Sequence, residues 1–287
     1  ASMRNFLERE ARSLHLVGGA FGKRWATISK ACGRSPETLA VPLGEAHHPE
    51  SLAKHLAENP HPDVVCITHN ETSTGVIQSL PELAAVVRAK APDALILVDV
   101  VTSLAGAELR FDQWGIDYAF AGTQKCLALP PGLGVYAVSD RALARAEQIQ
   151  NRGFLLDLPR AIADTNAGKT RATPCVPLVY ALQRQLDRIA IEGLENRWSR
   201  HMEMQARTFA WAETKGFEPF VSLAENRSPT VSCIDAHGQS VEAMAQAAAD
   251  NGFKMDKGYG DLKGKAFRIG HMGDHTIARL ESLLTVL

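Results

Sequence analysis

Two ionisable residues, Asp99 and Lys125, stand 26 positions apart, and each follows a short apolar segment. Asp99 closes the segment 95–98, where a charge is costly unless it is paired. Lys125 comes four positions after the segment 118–121. An amine and a carboxylate placed together can hold a ligand and exchange protons with it. An ordinary surface lysine and a loop carboxylate would give the same sequence pattern. These two residues alone therefore do not show whether they form a ligand site.

The elements that must position the pair follow an alternating pattern in the first half of the chain. Helices are predicted over residues 23–31, 81–90 and 141–150, and apolar strands over residues 14–17, 64–67, 95–98, 118–121 and 133–138. Apolar strands between helices indicate an α/β fold with a largely parallel sheet that is covered on both faces. Ligands in such sheets bind at the carboxyl ends of strands, where Asp99, Lys125 and residues 68–70 fall.

The second half has a different pattern. Residues 151–173 are rich in Gly, Pro, Asp and Asn and predict a long loop or linker. The elements predicted after it are helices at 177–191, 194–215, 241–251 and from Thr276 onward, with strands at 230–234 and 266–269. We therefore expect a large α/β domain over residues 1–155, a linker over 156–178, and a small C-terminal α+β domain over 179–287.

The composition excludes several classes of function. The net charge of −1 over 287 residues gives no field that would attract nucleic acid or an anionic membrane. No apolar stretch approaches the ~20 residues that span a bilayer, and no signal peptide is recognised. The five cysteines contain no CxxC pair, and His47-His48 lie in a polar segment, so no metal site is expected. Reduced thiols favour a cytoplasmic protein.

Several short segments of the sequence match one protein family, and they occur in the same order as in that family. They are residues 69–75 (HNETSTG), 98–104 (VDVVTSL), 115–117 (GID), 122–125 (GTQK), 130–133 (PPGL), 192–198 (EGLENRW) and 267–273 (FRIGHMG). The chain resembles the class V aminotransferases, in particular the alanine–glyoxylate and serine–pyruvate branch. The resemblance implies fold type I, pyridoxal 5′-phosphate (PLP) as cofactor, and a homodimer with shared active sites. It also implies a transaminase that moves an amino group between a small amino acid (alanine, serine or aspartate) and glyoxylate or pyruvate.

The resemblance gives four residues a role around the cofactor ring. Lys125 resembles the lysine that holds PLP as a Schiff base and, once freed, moves a proton as general acid and base. Asp99 resembles the carboxylate that pairs with the pyridine nitrogen. Val101 resembles the apolar residue packed beneath the ring. Phe21 matches the aromatic position on the other face, where many relatives have Trp.

The remaining site residues concern the phosphate, the phenolic oxygen and the substrate. Thr72 resembles the hydroxyl near the phenolic oxygen, and Gln124 with Thr123 resembles the phosphate contacts. Thr173 resembles a phosphate contact given by the neighbouring subunit, although a tyrosine expected three residues earlier is Thr170 here. Arg268 resembles the arginine that binds the substrate carboxylate as a bidentate fork.

The family's chain begins upstream of this one, with an active-site arm and a Gly/Ser-rich turn that binds phosphate at a helix N-terminus. Here residues 1–3 match the end of that turn. A truncated product, an omitted leading segment and a natural short form all fit the sequence. Without that segment the phosphate site would be incomplete.

Three alternatives to this function stay open at this point. A phosphoserine aminotransferase is an alternative within the same family. A cysteine desulfurase would need a mobile nucleophilic cysteine near the site, and neither Cys175 nor Cys233 lies in a segment of that kind. The third is an inactive remnant or an assembly subunit.

Overall fold

The computed structural model describes residues 2–287, so Ala1 lies outside the described residues. The strands of the first half are β1 (Arg12–Val17), β2 (Ser35–Ala40), β3 (Val64–Thr68), β4 (Asn70–Glu71), β5 (Val76–Ile77), β6 (Leu95–Asp99), β7 (Tyr118–Gly122) and β8 (Gly134–Val138). Six of them form one sheet in the order β2-β1-β3-β6-β7-β8, while β4 and β5 form a separate hairpin. All neighbours in the large sheet are parallel except β7 and β8. The fold is therefore α/β with a largely parallel sheet, as the sequence predicted.

Both faces of this sheet are covered. The helices of this half are α1 (Ser2–Asn5), α2 (Ala20–Ala31), α3 (Pro49–Glu58), α4 (Leu80–Lys90), α5 (Asp140–Gln148) and α6 (Leu158–Asn166). Val65 and Ile67 of β3 pack into a cluster with α3 and α4. Val64 and Cys66 belong to a second cluster, which includes residues of α2 and α5. Side chains of a strand alternate between faces, so a strand buried on both sides must be apolar throughout.

Six elements of this half were not predicted, namely α1, β2, α3, β4, β5 and α6. Strand β2 contains Pro36 and several polar residues, which an edge strand tolerates because one side of its backbone needs no partner. Helix α3 was also missed. Helix α6 lies inside residues 151–173, so the prediction of a long loop there is wrong over Leu158–Asn166. The Asp157 side chain caps α6 by accepting a hydrogen bond from the Arg160 backbone N–H.

The C-terminal part contains a second sheet and its own core. Its elements are α7 (Val176–Glu192), α8 (Leu194–Thr214), β9 (Glu218–Pro219), β10 (Val231–Asp235), α9 (Val241–Asp250), β11 (Ala266–Gly270) and α10 (Ile277–Val286). The antiparallel order is β11-β10-β9. Phe267 of β11 and Met204 of α8 are fully buried in the cluster between this sheet and its helices. No helix within residues 2–287 is long and apolar enough to cross a bilayer.

Candidate active site

A cavity of about 670 Å³ opens at the carboxyl edge of the large sheet, a volume typical of small-ligand sites. Six of the nine residues predicted from the sequence line it: Phe21, Thr72, Asp99, Val101, Gln124 and Lys125. They come from four separate stretches of the chain, and the parallel strand order brings them together. The other three predicted residues, Thr123, Thr173 and Arg268, do not form its wall.

Asp99 is the last residue of β6 and pairs in register with Thr68, the last residue of β3. One carboxylate oxygen, Oδ1, accepts a hydrogen bond of 2.9 Å from the Val101 backbone N–H. Burial raises the pKa of Asp99 to about 6, the Val101 hydrogen bond opposes this rise, and the negative charge of Glu71 adds to it. A cation bound beside Asp99 would favour its charged form. The carboxylate therefore suits a positively charged ring nitrogen.

Lys125 lies in the turn that follows β7, and its backbone is held in place. Its carbonyl accepts a hydrogen bond of 2.8 Å from the Ala128 backbone N–H. Two residues earlier, the fully buried Thr123 donates its hydroxyl to the Pro130 carbonyl at 2.8 Å. The Thr123 hydroxyl thus has a structural partner, whereas the half-buried Lys125 side chain lines the cavity.

A polar network forms the wall next to Asp99. The Thr72 and Thr102 hydroxyls are 2.8 Å apart, and the Asn70 side-chain amide donates to the Thr102 hydroxyl at 2.8 Å. Among the described residues, the buried Thr68 Oγ1 and Asn70 Oδ1 have no hydrogen-bond partner, and both residues line the cavity. Buried polar atoms without partners are costly, so these two fit a site that a polar ligand completes.

Residues 68 and 70 were placed at a strand end by the sequence but were given no role there. The signal that could have found Thr68 is its position at the end of the strand beside Asp99. Thr102 was also missed, since nothing in its local sequence distinguishes it from a core residue.

The first turn of α2 presents Phe21 to the cavity. The buried Glu71 carboxylate accepts hydrogen bonds from the backbone N–H groups of Phe21 at 3.1 Å and Gly22 at 3.0 Å. It also accepts from the Ser73 hydroxyl at 2.5 Å. The Phe21 ring stacks on Tyr259 with centroids 5.4 Å apart and planes 13° apart. Glu71 therefore fixes the position of Phe21 on the wall.

Arg268 of β11 lies behind the wall and is 8% exposed. Its Nη1 donates to the Thr72 carbonyl at 2.5 Å. Its Nε and Nη2 reach the two carboxylate oxygens of Asp256, each at 2.8 Å. Arg268 is therefore joined to a wall residue on one side and to a carboxylate on the other.

Thr173 lies in an exposed segment outside the cavity of its own chain. The cysteines are placed elsewhere as well: Cys175 is exposed, Cys233 is buried, and no cysteine of the described residues lines the cavity. Residues 2–287 contain no group of His, Cys, Asp and Glu side chains that could hold a metal ion.

Comparisons with known proteins agree with this geometry. The family model described as aminotransferase class-V matches residues 22–260. An uncharacterized aminotransferase of Methanocaldococcus jannaschii is 36% identical over 94% of this chain and 70% of its own length. The L-aspartate–glyoxylate aminotransferase of Paracoccus denitrificans is 31% identical over 96% of this chain and 70% of its own. The crystal structure of an alanine–glyoxylate aminotransferase from Nostoc superposes with a TM-score of 0.92 at 29% identity, covering 99% of this chain and 76% of that one.

Proposed function

The chain belongs to the class V aminotransferase family, and from that premise we propose the chemistry that its residues perform. The enzyme is a PLP-dependent transaminase that moves an amino group between a small amino acid, such as alanine, serine or aspartate, and a small 2-oxo acid, glyoxylate or pyruvate. The observation that carries the proposal is one cavity whose wall brings together Lys125, Asp99, Thr72 and Phe21.

Lys125 is proposed as the covalent anchor of the cofactor and as the proton carrier. When bound, PLP supplies a sink for the electron pair that remains when the substrate Cα loses its proton. Once free of the cofactor, the Lys125 amine would accept the Cα proton of the substrate as a general base. Its half-buried position on the wall keeps the amine close to a ligand in the cavity.

Asp99, Val101 and Phe21 are proposed to hold the ring. Asp99 supplies the negative charge that keeps the pyridine nitrogen protonated, since its carboxylate is largely buried and favours a cationic partner. Val101 follows two residues later on the same wall and offers an apolar surface to one face of the ring. Phe21 offers an aromatic surface to the other face, and its stacking on Tyr259 keeps its ring plane fixed.

Polar contacts to the rest of the cofactor are proposed for Thr72, Gln124 and Thr123. Thr72 lies on the wall with its hydroxyl hydrogen-bonded to Thr102, and this hydroxyl would contact the phenolic oxygen of the cofactor. Gln124 is the exposed wall residue next to Lys125 and is suited to the phosphate. Thr123 is proposed beside it, and a contact from Thr123 requires a change of partner, because its hydroxyl donates to the Pro130 carbonyl and its backbone N–H donates to the Leu133 carbonyl at 3.2 Å. Arg268 is proposed to bind the substrate carboxylate.

The substrate class can be tested by separate half-reactions. We expect the absorption band of the PLP-loaded protein to change when alanine, serine or aspartate is added and to return when glyoxylate or pyruvate follows. Parallel lines in double-reciprocal plots would show the ping-pong order of a transaminase. In Lys125→Ala the band and the turnover should both be lost. A wild-type protein that takes up no PLP, or responds only to phosphoserine, would contradict the proposed substrates.

We also propose a homodimer, in which Thr173 reaches the phosphate site of the partner subunit. Thr173 is exposed and does not line its own cavity, and large apolar side chains of the following helix α7 are open to solvent, including Tyr180 at 69% and Ile191 at 83%. Exposed apolar patches of this kind mark protein interfaces. The cytoplasmic location expected from the sequence stays a prediction.

Sedimentation of the wild type and of Tyr180→Asp tests the dimer. The wild type should sediment as a dimer, and the buried charge in the variant should shift it toward the monomer and weaken PLP binding. Leu223→Asp, at an exposed apolar position elsewhere, is the control and should remain dimeric. A monomeric wild type with full PLP affinity would rule out the shared site.

A further inference from the structure

Arg268 already holds a carboxylate in the geometry expected for a substrate. Its Nε and Nη2 face Asp256 Oδ1 and Oδ2, and both distances are 2.8 Å. This is the two-pronged pairing by which arginine recognises carboxylates in general. The internal residue thus makes the contact that an amino acid or a 2-oxo acid would need to make.

We propose that Asp256 is a specificity-determining residue. Its carboxylate binds Nε and Nη2 of Arg268, and the substrate carboxylate must displace it from these two atoms. The inference rests on the proposed function, in which Arg268 binds that carboxylate. In this exchange no bond is made or broken, and one carboxylate replaces another on the same guanidinium group. The guanidinium group is therefore paired with one carboxylate before and after binding, while the displaced Asp256 carboxylate is exposed to water.

The two partners differ in exposure in the way that an exchange requires. The Arg268 side chain is 9% exposed and the Asp256 side chain is 45% exposed. A buried guanidinium group cannot be left without a counter-ion, whereas a half-exposed carboxylate returns to water at small cost. Replacement of Asp256 by another carboxylate is consequently favoured over a separation that leaves Arg268 without a counter-ion.

The backbone keeps Asp256 next to Arg268 independently of the contacts that its carboxylate makes. The Arg268 backbone N–H donates to the Asp256 carbonyl at 3.0 Å. The Asp256 carboxylate also accepts from the Gly258 backbone N–H at 2.9 Å, a second partner that stays available after release from Arg268. Gly258 has φ +84°, and a side chain there would meet the Leu262 carbonyl at 2.3 Å, so glycine is required at this turn.

Residues 256–260, which we call the Asp256 strap, connect Arg268 to the cavity. Tyr259 in the strap stacks on Phe21 of the wall, and its ring centroid lies 5.6 Å from Arg268 Cζ. Displacement of Asp256 therefore takes place beside the wall and not at a remote surface. A ligand must compensate for the lost Asp256 contact with further contacts in the cavity, so a bare carboxylate binds poorly and a complete substrate binds well.

The experiment compares PLP-loaded wild type with Asp256→Asn. Calorimetric titration with propanoate, which has neither an amino nor an oxo group, measures carboxylate binding alone. We expect propanoate to bind roughly tenfold more tightly to the variant, because a neutral amide competes less well for Arg268. The KM for the amino donor should fall in the same direction while kcat stays within about twofold of wild type.

Asp261→Asn is the matched control, because Asp261 is exposed just beyond the strap. It should leave propanoate binding unchanged. Asp256→Ser repeats the test if the asparagine variant does not fold. Unchanged or weaker propanoate binding in the folded Asp256 variants would overturn the proposal and make Asp256 a residue that orients Arg268. If no variant transfers an amino group but propanoate binding still tightens, the proposed function fails and the carboxylate exchange stands.

Discussion

At the scale of single residues, the buried carboxylate of Asp99 lowers the stability of the protein when no cationic ligand is bound beside it. Its carboxylate ends a buried strand, and burial raises its pKa from 3.8 to about 6. The folded protein without PLP therefore binds a proton at Asp99 more tightly than the unfolded chain does. Between pH 4 and 6, about the interval between these two values, the contribution of Asp99 to the free energy of unfolding falls as the pH rises.

Asp99→Asn should stabilise the PLP-free protein above about pH 7 by up to roughly 3 kcal/mol, because each unit of pKa shift corresponds to 1.36 kcal/mol. Below the ordinary carboxyl pKa the two proteins should have equal stability. Urea unfolding at several pH values checks this. PLP should bind the variant more weakly, since the ring nitrogen loses its counter-charge. A variant that is less stable than the wild type at high pH would contradict this account of Asp99.

The roles of the individual site residues stay predictions, and the structure shows only where those residues lie. Six predicted residues line one cavity, among them Asp99 and Lys125. The sequence did not predict that Asp256 would pair with Arg268, because nothing in the local sequence distinguishes Asp256 from an ordinary polar residue and the pairing depends on how the Asp256 strap folds back. Thr123 was expected at the phosphate, a role that stays a prediction, and the local sequence gave no sign that its hydroxyl donates to the Pro130 carbonyl.

At the scale of elements, helix α2 is capped by a residue from a different element. Gly19 at its N-cap has no side chain, and the Glu71 carboxylate takes the exposed backbone N–H groups of the first turn. The negative charge also suits the positive end of the helix dipole. The sequence placed the start of this helix at residue 23 and not at Ala20, because the capping group comes from 49 or more residues away and leaves no local signal.

Glu71→Gln should lower the free energy of unfolding by about 2 kcal/mol or more, because a buried charge with several donors is replaced by a neutral group. It should also lower the pKa of Asp99, since the charge of Glu71 raises it. Glu82→Gln, an exposed acid in the first turn of α4, is the control and should cost less than about 1 kcal/mol. Equal losses in the two variants would mean that Glu71 does not hold α2.

At the scale of the whole molecule, Arg197 connects the two halves of the chain. Arg197 lies in the first turn of α8, and its side chain is 2% exposed. Its guanidinium group donates to Glu192 at 2.7 Å, to Asp274 at 3.0 Å and to the Cys126 carbonyl at 2.9 Å. Cys126 follows Lys125, so the C-terminal part supports the backbone that carries the lysine.

Arg197→Met should destabilise the protein by about 3 kcal/mol or more, because the carboxylates and the carbonyl lose a buried partner. Arg188→Met removes an arginine that also contacts Asp274 but is 60% exposed, and it should cost less than about 1 kcal/mol. Thermal and denaturant unfolding of both variants measures the difference. Similar small effects would show that the connection contributes little.

The large-scale plan of the fold could be predicted from the sequence because apolar segments and helices alternate regularly. The α/β class and the long helices α7 and α8 were predicted within a few residues. Strand β2 could not be predicted, since an edge strand has no need of an apolar pattern. The division at residues 155 and 178 stays a prediction.

Lys125 is the residue proposed to form the covalent link to PLP. Borohydride reduction of the PLP-loaded protein makes that link permanent, and digestion followed by mass spectrometry locates it. We predict that the added mass lies on the peptide that contains Lys125 and on no other lysine. Label on a different lysine, such as Lys23 in α2, or no label on a protein that transaminates, would contradict the account.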